Sequence, residues 1–268
     1  MDSLMIASVS SMAALAFVFS AILAFADKKL KVEEDPRVDE INHLLPGVNC
    51  GACGFLSCHD FAEHIAAEGA DPGKCRVVDE ETREKLYEVT GMKGGATHPR
   101  LPLVHCAAGA ENKEPAADYR GVRTCGAAQF DFGGGMECEY GCMGFGDCVS
   151  ACPFGALVMQ NALPVVIPDK CTGCGKCAAA CPRKIISLEE KKYDGLFYVA
   201  CNSHDGALRV RQICGVGCIA CGICVKLAPE GFFKLEDNLS RADHTKQQDQ
   251  EKVSFLAGKC PTKVIKKL

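Results

Sequence analysis

The chain has 268 residues, twenty of them cysteine, with a formal net charge of −4 and no tryptophan. That length suits one or two ordinary domains, and the acidic balance, with no basic stripe or aromatic stacking surface, argues against a nucleic-acid partner. So many thiols leave two classes open: a disulfide scaffold in an oxidising compartment, or metal ligation in a reducing one.

The first segment, residues 1–26, reads as a transmembrane anchor. Leu4 to Ala26 is a run of 23 residues without a charge. As a helix it would span roughly 34 Å, enough to cross a bilayer core with some tilt. A cleaved signal peptide would want a basic n-region, whereas only Asp2 precedes the run. Lys28, Lys29 and Lys31 follow it directly, which places the rest of the chain on the cytoplasmic side of the inner membrane as a single-pass protein. Small residues recur four apart (Ala7 and Ser11, Ser10 and Ala14, Ala16 and Ser20, Ser20 and Ala24), a face on which a membrane partner can pack.

Residues 27–37, with Glu33, Glu34 and Asp35, read as a solvated linker. Residues 38–91 read as a small helical domain. Its first helix runs from about Val38 to Leu45 and stops at Pro46-Gly47. A second opens at Cys58, with Phe61 and Ile65 inward and Gly69 past its end, and its dipole favours a thiolate at Cys58. A third has Asp79 as N-cap and Gly91 as stop. Residues 92–135, broken by Gly94-Gly95, Pro99, Pro102 and Gly133-Gly134-Gly135, read as an irregular, cysteine-containing connector. Residues 136–192 carry a ferredoxin-like module with short strands at 163–167 and 185–188, and 193–268 a third cysteine cluster with a basic tail. The fold class expected is α+β.

The cysteine spacing decides between the two classes. Cys171-x2-Cys174-x2-Cys177-x3-Cys181-Pro182 is the run that in bacterial ferredoxins holds one [4Fe–4S] cube with three thiolates and sends the fourth to a neighbouring cube. Cysteines packed that closely seldom pair with one another in a disulfide scaffold. Upstream lies a looser partner, Cys138-x3-Cys142-x5-Cys148-x3-Cys152-Pro153. Cross-ligation then predicts Cys138, Cys142 and Cys148 with Cys181 on one cube, and Cys171, Cys174 and Cys177 with Cys152 on the other. A further set, Cys50, Cys53, Cys58 and Cys75, bunches three thiolates in a Gly-rich loop and adds a distant fourth; a structural zinc is the competing reading. Cys218-x2-Cys221-x2-Cys224 lacks its fourth cysteine, since Ala228 stands there, but Cys260-Pro261 can supply it, so 193–268 reads as a degenerate, one-cluster ferredoxin. Cys106, Cys125, Cys201 and Cys214 remain by subtraction: a fifth cube, a zinc, or unrelated buried thiols.

His59, His64, His105 and His204 read as surface residues rather than ligands. Lys259, Lys263, Lys266 and Lys267 read as a solvated tail; attraction of an acidic ferredoxin is the other reading. No phosphate loop, acid–base pair or nucleophile stands out, as suits an electron carrier.

Two stretches, Asn49-Cys50-Gly51-Ala52-Cys53-Gly54-Phe55 and Cys138-Glu139-Tyr140-Gly141-Cys142-Met143-Gly144-Phe145-Gly146-Asp147-Cys148-Val149-Ser150-Ala151-Cys152-Pro153, follow the anchor in an order that resembles the RnfB family, a component of the Rnf complexes, which are membrane ferredoxin:NAD⁺ oxidoreductases. The resemblance covers essentially residues 1–190, and the tail looks like the longer, cysteine-rich forms of anaerobes. It implies a subunit that takes electrons from soluble reduced ferredoxin, relays them through [4Fe–4S] cubes to other membrane and peripheral subunits of an ion-translocating complex, and carries no acid, base or nucleophile of its own. A similar subunit serves a complex that keeps a redox-sensing transcription factor reduced, and a tethered ferredoxin serving another dehydrogenase is a third reading.

Overall fold

The computed structural model describes residues 2–30, 35–94, 98–193, 195–229, 231–246 and 249–268. Helix α1 (Asp2–Leu30) carries a span, Met5–Lys29, of mean hydropathy 2.2 and no protein packing, so Phe17 and Phe25 project freely. It is long and apolar enough to cross a bilayer. The linker expected over 27–37 is shorter than that: α1 runs on through Lys28 and Lys29, and the next helix starts at Pro36. Lys31, Glu33 and Glu34 lie outside the described residues, as does Gly95.

The unit that follows is a three-helix cluster. Helix α2 (Pro36–Leu44) begins two residues ahead of the expected start because Asp35 caps it, accepting from the Arg37 amide at 3.0 Å, and Pro36 suits the first turn. Helix α3 (Cys58–Glu68) is capped by Ser57, and α4 (Glu80–Thr90) by Asp79; Gly69 (φ 70) and Gly91 (φ 69) end them in the left-handed region. Val38, Ile41, Phe61, Ile65 and Leu86 form its core.

The connector is not irregular throughout. Residues Arg100–Val104 form strand β1, which pairs antiparallel with β4 (Ile186–Glu190), with Leu103 opposite Ser187. The connector therefore supplies the first strand of the ferredoxin module. Beyond it come α5 (Cys125–Phe130) and one turn, α6 (Phe132–Gly135), in which Gly133 and Gly134 sit at φ 61 and 71. Helix α7 (Asp147–Ser150) leads to a hairpin, β2 (Leu157–Gln160) with β3 (Leu163–Val166), then α8 (Lys176–Ala180) and β4. The expected strands at 163–167 and 185–188 correspond to β3 and β4; the hairpin partner β2 has no alternating pattern to announce it.

Residues 195–268 repeat this plan. The outer pair is β5 (Phe197–Val199) with β8 (Ile265–Lys267), and the inner hairpin is β6 (Phe233–Glu236) with β7 (Leu239–Ala242). Helices α9 (Ala207–Ile213), α10 (Ile223–Leu227) and α11 (Gln250–Lys259) complete it around Phe232, Val253 and Leu256. The basic end is thus no loose tail: Lys266 and Lys267 lie on β8, and the Lys267 ammonium sits 5.7 Å from the Phe197 ring centre.

The two modules clasp each other. Leu101 and Leu103 of the first share a small core with Leu196 of the second, against which Leu268 also packs. His105 bridges them: one ring nitrogen lies 2.9 Å from the Val199 carbonyl, the other 2.9 Å from the Ser187 hydroxyl. It is a structural joint, not a surface residue, and burial pushes its pKa down. Phe232→Ala, at a side chain with no exposure, is expected to cost about 3–5 kcal/mol in a denaturant titration of the C-terminal module; a loss under about 1 kcal/mol would contradict this packing.

Candidate iron–sulfur sites

The Gly-rich loop after α2 brings Cys50, Cys53 and Cys58 around a small cavity that Cys75 also lines. Asn49, at φ 50, accepts from the Cys58 amide at 2.8 Å, and Asp60 accepts from the Leu56 amide at 2.9 Å, so the loop is laced to the first turn of α3. Cys75 is held by a short turn whose Asp71 accepts from Gly73 and from the Tyr87 hydroxyl. Burial pushes the Cys75 thiol up, and the Val77 and Val78 amides draw it back.

In the ferredoxin module Cys171, Cys174 and Cys177 stand with Cys152, close enough for their charges to interact. The Ala156 amide donates to the Cys152 sulfur at 3.4 Å. Gly173 is required: its φ is 68, and a Cβ there would meet the Arg100 carbonyl at 2.6 Å. The set around Cys181 differs from the one the spacing predicts. Cys148 faces Cys142, Cys125 and Cys181, whereas Cys138 faces Cys106 and Cys214. Asp147 is the cause: its carboxylate accepts from the Cys125 and Gly126 amides, each at 2.9 Å, and pins the first turn of α5 beside α7. Cys125 therefore lies near Cys142, Cys148 and Cys181, while Cys138 lines a separate cavity with Cys106, Cys201 and Cys214.

In the C-terminal module Cys218, Cys221, Cys224 and Cys260 line one small cavity. The buried Ser240 hydroxyl lies 3.0 Å from the Cys224 sulfur. The remaining four thiols line a cavity between the modules: Cys106, Cys138, Cys201 and Cys214. Two cations that the spacing does not reveal stand nearby. Arg183 donates to the carbonyls of Cys138, Gly141 and Gly133, and Lys113 to that of Cys142 at 2.8 Å. Arg183 carries no sequence signal beyond following Cys181-Pro182; its pKa is drawn down by burial and up by the thiols around it. His59 and His64 stay partly exposed on α3, and His204 bonds the Asp237 carbonyl.

All twenty cysteines are free thiols. Burial pushes Cys142, Cys177 and Cys201 up to about 11 and Cys148 up to about 12, so a metal must displace protons to bind. Among the described residues, no three Cys, His, Asp or Glu side chains are placed to hold a single metal ion. Zinc needs four sulfurs at about 2.3 Å from one centre. Thiols ringing a cavity, with backbone N–H groups free to reach sulfur, fit a cube that takes one thiolate per iron.

Family models match three stretches: "Putative Fe-S cluster" over 45–77, "4Fe-4S dicluster domain" over 140–185 and "4Fe-4S single cluster domain of Ferredoxin I" over 215–267. They define an iron–sulfur electron-transfer protein of mixed α and β structure, with several ferredoxin-type units behind one apolar helix. The B-subunit of the ion-translocating oxidoreductase complex of Methanosarcina acetivorans is 36% identical over 99% of both chains. The B-subunit of the proton-translocating ferredoxin:NAD(+) oxidoreductase complex of Clostridium ljungdahlii is 36% identical over 95% of this chain and 89% of its own. That of the Na(+)-translocating ferredoxin:NAD(+) oxidoreductase complex of Acetobacterium woodii is 35% identical over 92% and 73%. The chain belongs to this family, the RnfB subunits of the Rnf complexes, and is an electron-carrying subunit of a redox-driven translocase.

Ser240→Ala removes a hydrogen bond to a ligand sulfur, and such bonds favour the more negative, reduced cluster. The expected result is unchanged iron content with one midpoint potential moved to a more negative value, read by potentiometric titration followed by electron paramagnetic resonance. No movement of any midpoint would contradict the contact.

Proposed function

We propose that this subunit receives electrons from soluble reduced ferredoxin on the cytoplasmic side of the membrane and relays them to other subunits of an ion-translocating ferredoxin:NAD⁺ oxidoreductase. The observation that carries the reading is the partition of cysteines into separate four-thiol cavities behind a helix fit to anchor the chain. Bound there, [4Fe–4S] clusters would supply reversible one-electron storage. The ligands proposed are Cys50, Cys53, Cys58 and Cys75; Cys152, Cys171, Cys174 and Cys177; Cys125, Cys142, Cys148 and Cys181; and Cys218, Cys221, Cys224 and Cys260.

The chain's own groups set where those electrons rest. Ala156, Ser203 and Ser240 aim N–H or O–H groups at sulfur, while Arg183 and Lys113 put fixed positive charge beside several thiols. Both effects favour the reduced, more negative state. Lys28 and Lys29, in the last turn of α1, support the cytoplasmic orientation. The relatives' names pair the same subunit with protons in one organism and sodium in another. Membership of the family therefore does not fix the coupled ion, and this subunit serves as the electron conduit.

Cys177→Ala is expected to remove about four irons and to abolish ferredoxin-driven NAD⁺ reduction by the assembled complex. Iron loss with full NAD⁺ reduction would overturn the conduit reading. In a second measurement Arg183→Gln should move the potential of a neighbouring cluster to a more negative value without iron loss; unchanged potentials would remove Arg183 from the account.

A further inference from the structure

We infer that Cys106, Cys138, Cys201 and Cys214 form a further [4Fe–4S] site on the seam between the two ferredoxin-like modules, two thiolates from each. The inference rests on the iron–sulfur reading above and goes beyond it, because all four cysteines lie outside the three matched stretches, 45–77, 140–185 and 215–267.

Three features of the seam argue for a built site. The first is a shared hollow. The four thiols line one cavity, as do the four thiols of each of the two sets inside matched iron–sulfur stretches. Its remaining wall is largely apolar, with Ala107, Ala200, Val210 and Ile213. The second is clearance. Gly141 keeps the middle open: a Cβ there would lie 3.3 Å from the Cys138 sulfur and 3.7 Å from that of Cys106. The third is framing. Lys113 pairs with Cys214 across a β-bridge, the Glu114 amide donates to the Ile213 carbonyl at 3.3 Å, and the Gly215 amide donates to the Asn112 carbonyl at 3.3 Å. An ion pair between Arg209 and Glu137 crosses the same seam. The segment between β1 and Cys138 is thus folded onto the C-terminal module around the four thiols.

The repeat of the fold explains the ligand set. Cys106 follows the last residue of β1 by two, and Cys201 follows the last residue of β5 by two. Equivalent positions in the two modules thus send a thiol to the shared seam. The site also completes a path. Cys148 and Cys177 are near enough for their charges to interact, and so are Cys142 and Cys106, and Cys201 and Cys218. Each pair joins one four-thiol set to the next, so the seam site is the link between the clusters of the two modules. Transfer through it moves one electron, one cube oxidised as its neighbour is reduced, with no bond made or broken.

The test is anaerobic iron, acid-labile sulfide and zinc analysis of the full chain in detergent, for the parent and for the quadruple variant Cys106→Ser, Cys138→Ser, Cys201→Ser, Cys214→Ser. The parent should hold about twenty irons and the variant about sixteen. A parent with about sixteen irons and no change in the variant would overturn the seam site while leaving the relay intact, and so would a parent carrying one zinc that the variant loses. A variant with about twelve irons would return Cys138 to the set of Cys142 and overturn the assignment. If the quadruple variant does not fold, Cys214→Ala decides: a loss of about four irons supports the site and no loss overturns it. A parent without iron would sink the electron-transfer reading itself.

Discussion

Each iron of a cube takes one thiolate, so four sulfurs from remote parts of the chain must reach one small cavity. The architecture outside the membrane helix follows from that constraint. Among the described residues its sheets are all two-stranded, and an isolated pair of strands is marginal in water. Its hydrophobic cores are separate and small, each built against one or more cysteine sets. Buried thiols with raised pKa values hold protons that metal must displace, so binding free energy is also folding free energy.

The two ferredoxin-like modules show how one plan serves different numbers of clusters. In each, the first and last strands pair and a hairpin fills the middle. The C-terminal module has Ala228 where a crossing thiolate would stand, which leaves it one internal site closed by Cys260. The long insertion between Cys106 and Cys138 does the reverse work in the first module. It carries Cys125 back to α7 through the Asp147 carboxylate and delivers Cys138 to the seam. Buried or half-buried cations, Arg183 and Lys113, stand where thiols are densest, which offsets negative charge that the low-dielectric interior would otherwise penalise.

Much of this is legible in the cysteine spacing. Cys171 to Cys177 and Cys50 to Cys58 are local runs whose geometry is set by short loops, glycines and the first turn of a helix, so sequence order and spatial order agree. The helices of the first unit are legible for the same reason: Ser57, Asp79, Gly69 and Gly91 are local caps. What sequence order hides is long-range. Strand β1 has Pro102 at its centre and meets its partner 86 residues from that position, at Leu188, so nothing local marks it as a strand. The placing of Cys125 beside α7 depends on one carboxylate gripping two amides 21 and 22 residues away. The sharing of a cavity by Cys106 and Cys201 depends on how two modules dock. His105 reads as a surface residue in the sequence because its partners, Ser187 and Val199, come from elements remote along the chain.

We propose that the chain is an electron conduit fed by ferredoxin, and this can be tested on the protein itself. The direct measurement is rapid mixing of the full-length, cluster-loaded protein in detergent with reduced ferredoxin, following the iron–sulfur absorbance of each partner. Fast bleaching of this chain is expected, with more than one electron accepted per molecule, since several four-thiol sets adjoin along one path. A fully loaded chain that stays oxidised while ferredoxin remains reduced would contradict it.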